Sequence, residues 1–387
     1  MPYWRLSSLY FWYFAVVGAM SPYWSLYLKS LGFEPVRIGV LASIPMLVRL
    51  FAPNFWGRIA DKSGRRIWVL RLGSLGACIF FVGLVFVDDF YLMAMLLVLF
   101  GFFWNAIMAQ TETITLKHLD DKPYDYGKIR LWGSVGFIAA VLALGFVFER
   151  FPVSYLPIII ATGLALIVVG ASCLHSGVDA KPQLQAAAGS FISVLRNRYV
   201  VAFLVVFFLL QLSHGVYYVF YSIYLEEAGY STLWIGGLWS LGVVAEIIMF
   251  LKARELLSRF TLYHLLFVSL LVTSIRWLSL AFFRDSFIAL ALLQLTHAFT
   301  FALTHTVAIE FIRRQFGEHN QGQGQAFYSA VSYGAGAALG AFISGLIWHY
   351  GGSISFVFAG ASAAVALLVC YRYLRSCSIL NQQVKSS

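Results

Sequence analysis

Glu246, Arg276 and His297 each stand inside a long apolar run of the chain. A carboxylate, a guanidinium and an imidazole are the groups that hold, attract and hand on a proton. Ionisable side chains in such surroundings are costly, and each is read by default as part of a pathway or coupling site. Desolvation favours the neutral form of a carboxyl and a guanidinium close by favours the ionised form, so an arginine that moves can switch a buried glutamate between the two. The same pair could instead be a permanent buried bridge that serves packing. A second set lies earlier in the chain, where Glu112 stands eighteen residues before Arg130 and Arg49 lies near the middle of another apolar run. Arg49 could draw in a solute carboxylate, or it could snorkel or hold a backbone carbonyl. His214, Gln211, Asn105, Gln110 and His305 could line a cavity or make interhelical hydrogen bonds.

The elements that must position these groups follow from composition. Of 387 residues, 60% are hydrophobic and 11% charged, with a mean hydropathy of +0.80, which excludes a water-soluble domain. Apolar stretches long enough to cross the ~30 Å hydrocarbon layer as helices recur twelve times. They include 6–28, 35–57, 90–111, 130–149 and 353–374. The first is read as retained, since no A-x-A cleavage site follows it. Cys78, Cys173, Cys370 and Cys377 show no paired spacing, so neither a disulfide framework nor a metal site is expected. The net charge of +10 is scattered over short loops rather than gathered on one face, so no nucleic-acid partner is expected. Placing the N-terminus inside puts Arg58, Lys62, Arg65, Arg66, Lys117, Arg196, Arg198, Arg259, Arg313, Arg314, Arg372 and Arg375 in cytoplasmic segments. Lys29, Arg37, Arg150 and Arg284 then fall outside. The positive-inside rule therefore predicts both termini in the cytoplasm.

The chain repeats itself. A shift of 197 residues brings Gly18, Gly32 and Gly39 onto Gly215, Gly229 and Gly236, and Ser25, Tyr27 and Leu28 onto Ser222, Tyr224 and Leu225. It also brings Arg49 onto Glu246. This predicts an N-terminal six-helix half over 1–174, a polar cytoplasmic linker over 175–198 and a C-terminal six-helix half with a short tail over 199–387.

After the second span the chain reads Gly57-Arg58-Ile59-Ala60-Asp61-Lys62-Ser63-Gly64-Arg65-Arg66. This fits the G-x-x-x-D-[RK]-x-G-[RK]-[RK] signature and resembles the major facilitator superfamily. Gly57, Asp61, Lys62, Gly64, Arg65 and Arg66 are expected to form a gating latch in a loop: glycines permit a tight turn, the aspartate faces a helix N-terminus, and the arginines pair carboxylates. A solvated basic loop serving topology alone is the plainer alternative. The second half has lost the pattern around 254–262, so any latch is asymmetric.

Helix 5 begins Tyr126-Gly127-Lys128-Ile129-Arg130-Leu131-Trp132-Gly133. With Glu112 this resembles the lactose/proton symporter branch, and 125–136 and 214–250 are similar to the bacterial 3-phenylpropionate transporter family within it. The resemblance implies that Glu112 and Arg130 form a charge pair at the substrate site and that Phe137 packs on the solute. It also implies that Arg276 and His297 take part in proton coupling. Thr300 stands where the branch has a helix 10 glutamate and Gln294 where it has a lysine, which leaves Glu246 as the candidate proton carrier.

The resulting expectation is an all-α membrane protein of twelve transmembrane helices in two pseudo-symmetric six-helix halves. It is a transporter, not an enzyme, that works as a monomer in the bacterial inner membrane by alternating access, with a proton as coupling ion and no other cofactor. Substrate-binding candidates are Glu112, Arg130, Phe137, Arg49 and His214, and coupling candidates are Glu246, Arg276 and His297. An aromatic acid such as 3-phenylpropionate is the expected solute of proton symport. The alternatives are a sugar or nucleoside symporter, a proton-driven efflux antiporter and a non-transporting sensor.

Overall fold

In a bilayer each backbone N–H and C=O must be satisfied within the protein, so an apolar chain of this length has to fold as helices or a closed barrel. The computed structural model describes residues 3–119, 126–174 and 188–382, and among them the chain is helical. Twelve long helices follow in order: α1 Tyr3–Ser30, then α2 Pro35–Ser63, α3 Arg66–Phe86, α4 Phe90–Leu119, α5 Tyr126–Phe148 and α6 Val153–Ser172. The second half supplies α7 Arg198–Glu227, α8 Thr232–Arg259, α9 Leu262–Phe282, α10 Phe287–Gly317, α11 Asn320–Tyr350 and α12 Gly352–Leu374. Eleven are long and apolar enough to span a membrane by composition. The twelfth, α1, is as long but is diluted by tyrosine, tryptophan and serine.

Packing divides the chain into two compact units, Met1–Leu184 with Gly229–Gly237, and Gln185–Ala228 with Leu238–Ser387. The nine-residue segment departs from the contiguous halves expected from sequence. Its Thr232 hydroxyl donates to the Gly145 carbonyl at 2.9 Å, and a Cβ on Gly236 would meet the Tyr23 hydroxyl. The expected linker lies partly outside the described residues; from Ala188 to Leu195 it is a short helix.

Each unit is built on one very close helix crossing. In the first, α1 and α5 touch backbone to backbone, where a Cβ on Gly136 would lie 2.2 Å from the Phe11 carbonyl oxygen and one on Gly18 would lie 2.6 Å from that of Phe137. In the second, α7 and α11 do the same, with Gly340 against Leu212 and Gly215 against Gly340 itself. Such small-residue seams let helices approach where lipid supplies no hydrophobic drive. The repeated Gly32 and Gly229 end α1 and α7 alike, at φ +80° and +87°, a conformation that glycine adopts without strain.

Three interruptions shape the functional helices. Pro53 has no N–H to give the Arg49 carbonyl, and its ring crowds that oxygen, so α2 breaks into a turn at residues 49–51. Within α10 the helix widens to π geometry over Ala298–Leu303, a feature often found at functional sites. Gly317, at φ 63° and ψ 176°, ends α10.

Candidate functional site

In the second unit, α8, α9 and α10 bring Glu246, Arg276 and His297 together. Arg276 is 1% exposed, and a guanidinium so buried must be bonded on most of its edge. Its Nη1 donates to His297 Nδ1 at 2.7 Å and to Thr300 Oγ1 at 2.9 Å, and its Nη2 donates to Gln294 Oε1 at 2.9 Å. The rings of Tyr217 and Trp277 lie 4.7 and 4.5 Å from its carbon, and cation–π attraction adds to the hold. Gln294 Oε1 also accepts from the Tyr217 hydroxyl at 3.3 Å.

Arginine only donates, so His297 Nδ1 must accept and the ring proton sits on Nε2. That atom lies 2.8 Å from Glu246 Oε1. The imidazole therefore joins cation to carboxylate, and Arg276 and Glu246 make no direct ion pair among the described residues. This corrects the simple glutamate–arginine bridge considered from sequence: a one-residue relay stands between the charges. His297 at the entry of the π segment and Thr300 inside it both reach the same arginine nitrogen. Chemically, the arrangement holds one carboxylate against the neutral imidazole of a ring that is fixed from behind.

His214, expected among the substrate residues, packs beside this cluster. It is fully buried on α7, its Nδ1 lies 2.8 Å from the Leu210 carbonyl, and its Nε2 has no partner among the described residues. Its ring meets Trp277 edge-on at 5.0 Å and lies 6.2 Å from His297.

The first unit holds the other set. Glu112 sits on α4, two turns before its end, because that helix runs to Leu119 rather than stopping near 111. Arg130 lies on α5 with its guanidinium 4.2 Å from the Phe14 ring and 5.7 Å from Tyr10. Gly133, one turn on, leaves room for both Phe14 and the guanidinium. Glu112 and Arg130 make no direct ion pair among the described residues; Tyr126 sits against both. Arg49, at the break in α2, is half-buried and makes no side-chain hydrogen bond or ion pair among the described residues. Its charge reaches Tyr13, as do those of Glu112 and Arg130. Tyr13 stacks face to face on Trp104 at 4.2 Å and 9°. Phe137 is buried, with its backbone against Gly18.

The expected latch is mostly not a loop. Residues 57–63 are the last turns of α2, Gly57 has open space around it, and Gly64 alone makes the turn, at φ +68°. Arg66, opening α3, pairs with Asp61 and donates to Gln110 Oε1 on α4 at 3.2 Å. Lys62 and Arg65 are exposed.

A family model described as the MFS_1 like family matches residues 3–359. The chain belongs to that family. It is a multi-pass membrane transporter of the major facilitator type. Its relatives include a probable 3-phenylpropionic acid transporter of Escherichia coli, 30% identical over 95% of this chain and 97% of that one. A maltose permease of Geobacillus stearothermophilus is 28% identical over 88% and 87%. The solved nucleoside transporter NupG shares the fold, with a TM-score of 0.86 at 19% identity, covering 97% of this chain and all of that one.

Where the resemblance to the lactose/proton symporter branch implies charged groups at 300 and 294, the structure places two neutral acceptors against the arginine. Thr300 and Gln294 both accept from Arg276, which leaves Glu246 the carboxylate of the cluster. Neither is expected from sequence as an arginine ligand, nor are Tyr126, Tyr13 and Tyr217 expected at the site. The signal for Tyr126 was present, since it lies four residues before Arg130 and so on the same helix face. Tyr217 likewise follows His214 by three. Nothing in the spacing pairs Tyr13 with Trp104, ninety-one residues apart.

Proposed function

We propose that this transporter carries a small aromatic monocarboxylate, 3-phenylpropionate or a close analogue, in symport with a proton by alternating access. The observation that carries the reading is the charge balance of the buried groups. In the first unit Arg130 is offset by Glu112, while Arg49 has no ion-pair partner among the described residues and its charge acts on Tyr13, which stacks on Trp104. A carboxylate bound to a planar ring supplies what those groups lack: an anion for the guanidinium and a flat apolar surface for the rings. In the second unit the Glu246–His297–Arg276 relay holds one carboxylate that can take up a proton, and because uptake leaves the buried Arg276 cation uncompensated, protonation favours a rearrangement of the cluster. The name of the Escherichia coli relative agrees with this substrate class.

Substrate-side contacts fall to Arg49, Arg130, Glu112 and Phe137, and proton handling to Glu246, His297 and Arg276, with His214 beside them. The 57–66 segment gates the pathway. The molecule sits as a monomer in the bacterial inner membrane with both termini in the cytoplasm, as its lysines and arginines favour.

The test is uptake of labelled 3-phenylpropionate by right-side-out vesicles under an imposed inward proton gradient. Accumulation that collapses with a protonophore is expected, together with competition by other aryl carboxylates. Accumulation of maltose or uridine instead would replace the substrate class. Gradient-driven extrusion would establish antiport, and solute binding without counterflow would make the chain a sensor.

A further inference from the structure

We propose that a groove formed in the second unit by α7, α11 and the short helix Ala188–Leu195 binds one acyl chain of an anionic phospholipid, whose phosphate is held by Arg196 and Arg198. The groove has a volume of about 310 Å³ and apolar walls: Leu195 from the short helix, Val201, Val205 and Phe208 from α7, and Phe327 and Val331 from α11. Val201 is 48% exposed and Val205 41%, so the stripe they form is not filled from within the unit.

Its length fits a lipid tail. Residues 198, 201, 205 and 208 follow the three- and four-residue spacing of a single helix face. The ten residue steps from Arg198 to Phe208 rise about 15 Å, half of the ~30 Å hydrocarbon thickness and so the depth of one leaflet. The walls offer no hydrogen-bonding side chain that would hold a polar solute.

Its charge selects the headgroup. Arg198 continues the groove stripe at one end, and Arg196 adjoins Leu195 there. Arg196 is exposed and makes no hydrogen bond or ion pair among the described residues. Arg198 donates to the Tyr199 hydroxyl at 2.9 Å with its guanidinium 4.8 Å from that ring, so it reaches a phosphate at the groove by swinging off the tyrosine, and most of its donors are then available. The sequence over 185–225 and 320–331 has no aspartate or glutamate, so nothing on those stretches neutralises the two arginines. The short helix is pinned in place by Phe191, whose ring meets Phe316 at 5.7 Å and Phe327 at 6.1 Å. Greasy groove and cationic end together describe a phospholipid with net negative charge.

The experiment uses the full chain purified in detergent. Binding is read by native mass spectrometry and by thermal unfolding, with phosphatidylglycerol, phosphatidylcholine of the same acyl chains, and glycerol phosphate as the soluble headgroup. One tightly retained phosphatidylglycerol per chain and a saturable rise in Tm are expected, with little effect of the other two. Arg196→Gln and Arg198→Gln should each weaken phosphatidylglycerol binding about five-fold, the contribution of one basic residue near an anionic lipid surface. Arg196→Lys should retain most of it. Val205→Trp, which fills the groove, should displace the lipid while the variant's lipid-free Tm reports its folding. Equal binding of the two lipids would overturn the proposal, as would a shift reproduced by glycerol phosphate or selectivity that survives both Arg196→Gln/Arg198→Gln and Val205→Trp. Protein dimers that form only with an empty groove would give it to a second copy instead.

Discussion

Arg49 and Glu246 occupy matching positions of the two repeats, and the chain treats them in opposite ways. In the first unit Pro53 breaks α2 at the arginine, and its side chain is left half-buried without a partner among the described residues. In the second, Phe250 replaces the proline, α8 runs unbroken through the glutamate, and His297 engages its carboxylate. The duplicated scaffold thus carries an open cation on one side of the repeat and a bonded anion on the other. Duplication preserves the seams, Gly18 against Phe137 and Gly215 against Gly340, because a Cβ there would strike backbone. It does not preserve the chemistry, which rests on side chains free to diverge once packing is secure.

The comparison breaks most sharply at the glutamate. Glu246→Gln should abolish accumulation above equilibrium and flatten the pH dependence of uptake, while solute exchange at equal concentrations persists. Vesicle uptake and counterflow measured side by side check this, and normal gradient-driven accumulation by the variant would remove Glu246 from the proton path. Arg49→Gln tests the other member. Loss of a charged hydrogen bond worth about 1.5–3 kcal/mol should weaken aryl carboxylates some ten- to hundred-fold in competition assays and leave neutral analogues unchanged. An equal loss for neutral analogues would make the residue structural.

The shared scaffold is tested next. Gly340→Ala should destabilise the chain by about 1–3 kcal/mol, as an overpacked seam does, and Gly136→Ala should match it if the two units are equivalent; thermal unfolding reads both. The smallest contrast lies within the latch. Gly64→Ala, at a left-handed turn, should cost about 1 kcal/mol. Gly57→Ala, in a helix with open space around it, should be neutral or slightly stabilising, by up to about 1 kcal/mol, from helix propensity. Equal effects at the two glycines would contradict the turn assignment.

Much of this was legible in the residues. The number of long helices, the duplication and the charges within apolar runs are properties of spacing and composition, and the bilayer leaves few ways to satisfy such a chain. The latch was legible as a motif but not as a shape, because a glycine pattern does not say which glycine turns; Gly57 is helical and Gly64 is not. That His214 packs beside Trp277 and His297 was not legible, because a lone histidine in an apolar run carries no directional signal in one dimension.

What the sequence alone determined is the solvent this protein lives in and the two-fold plan of its helices, since hydrophobicity and repetition act along the chain and need no partner to be read. Tertiary structure alone decided which polar groups meet. Glu246, Arg276 and His297 come from three helices, and the order in which they bond, with the imidazole in the middle and Thr300 and Gln294 beneath the arginine, depends on helix rotation and on the π segment of α10. A shift of one residue in register would turn each side chain by about 100° away from its partner, and nothing in the local sequence fixes that angle.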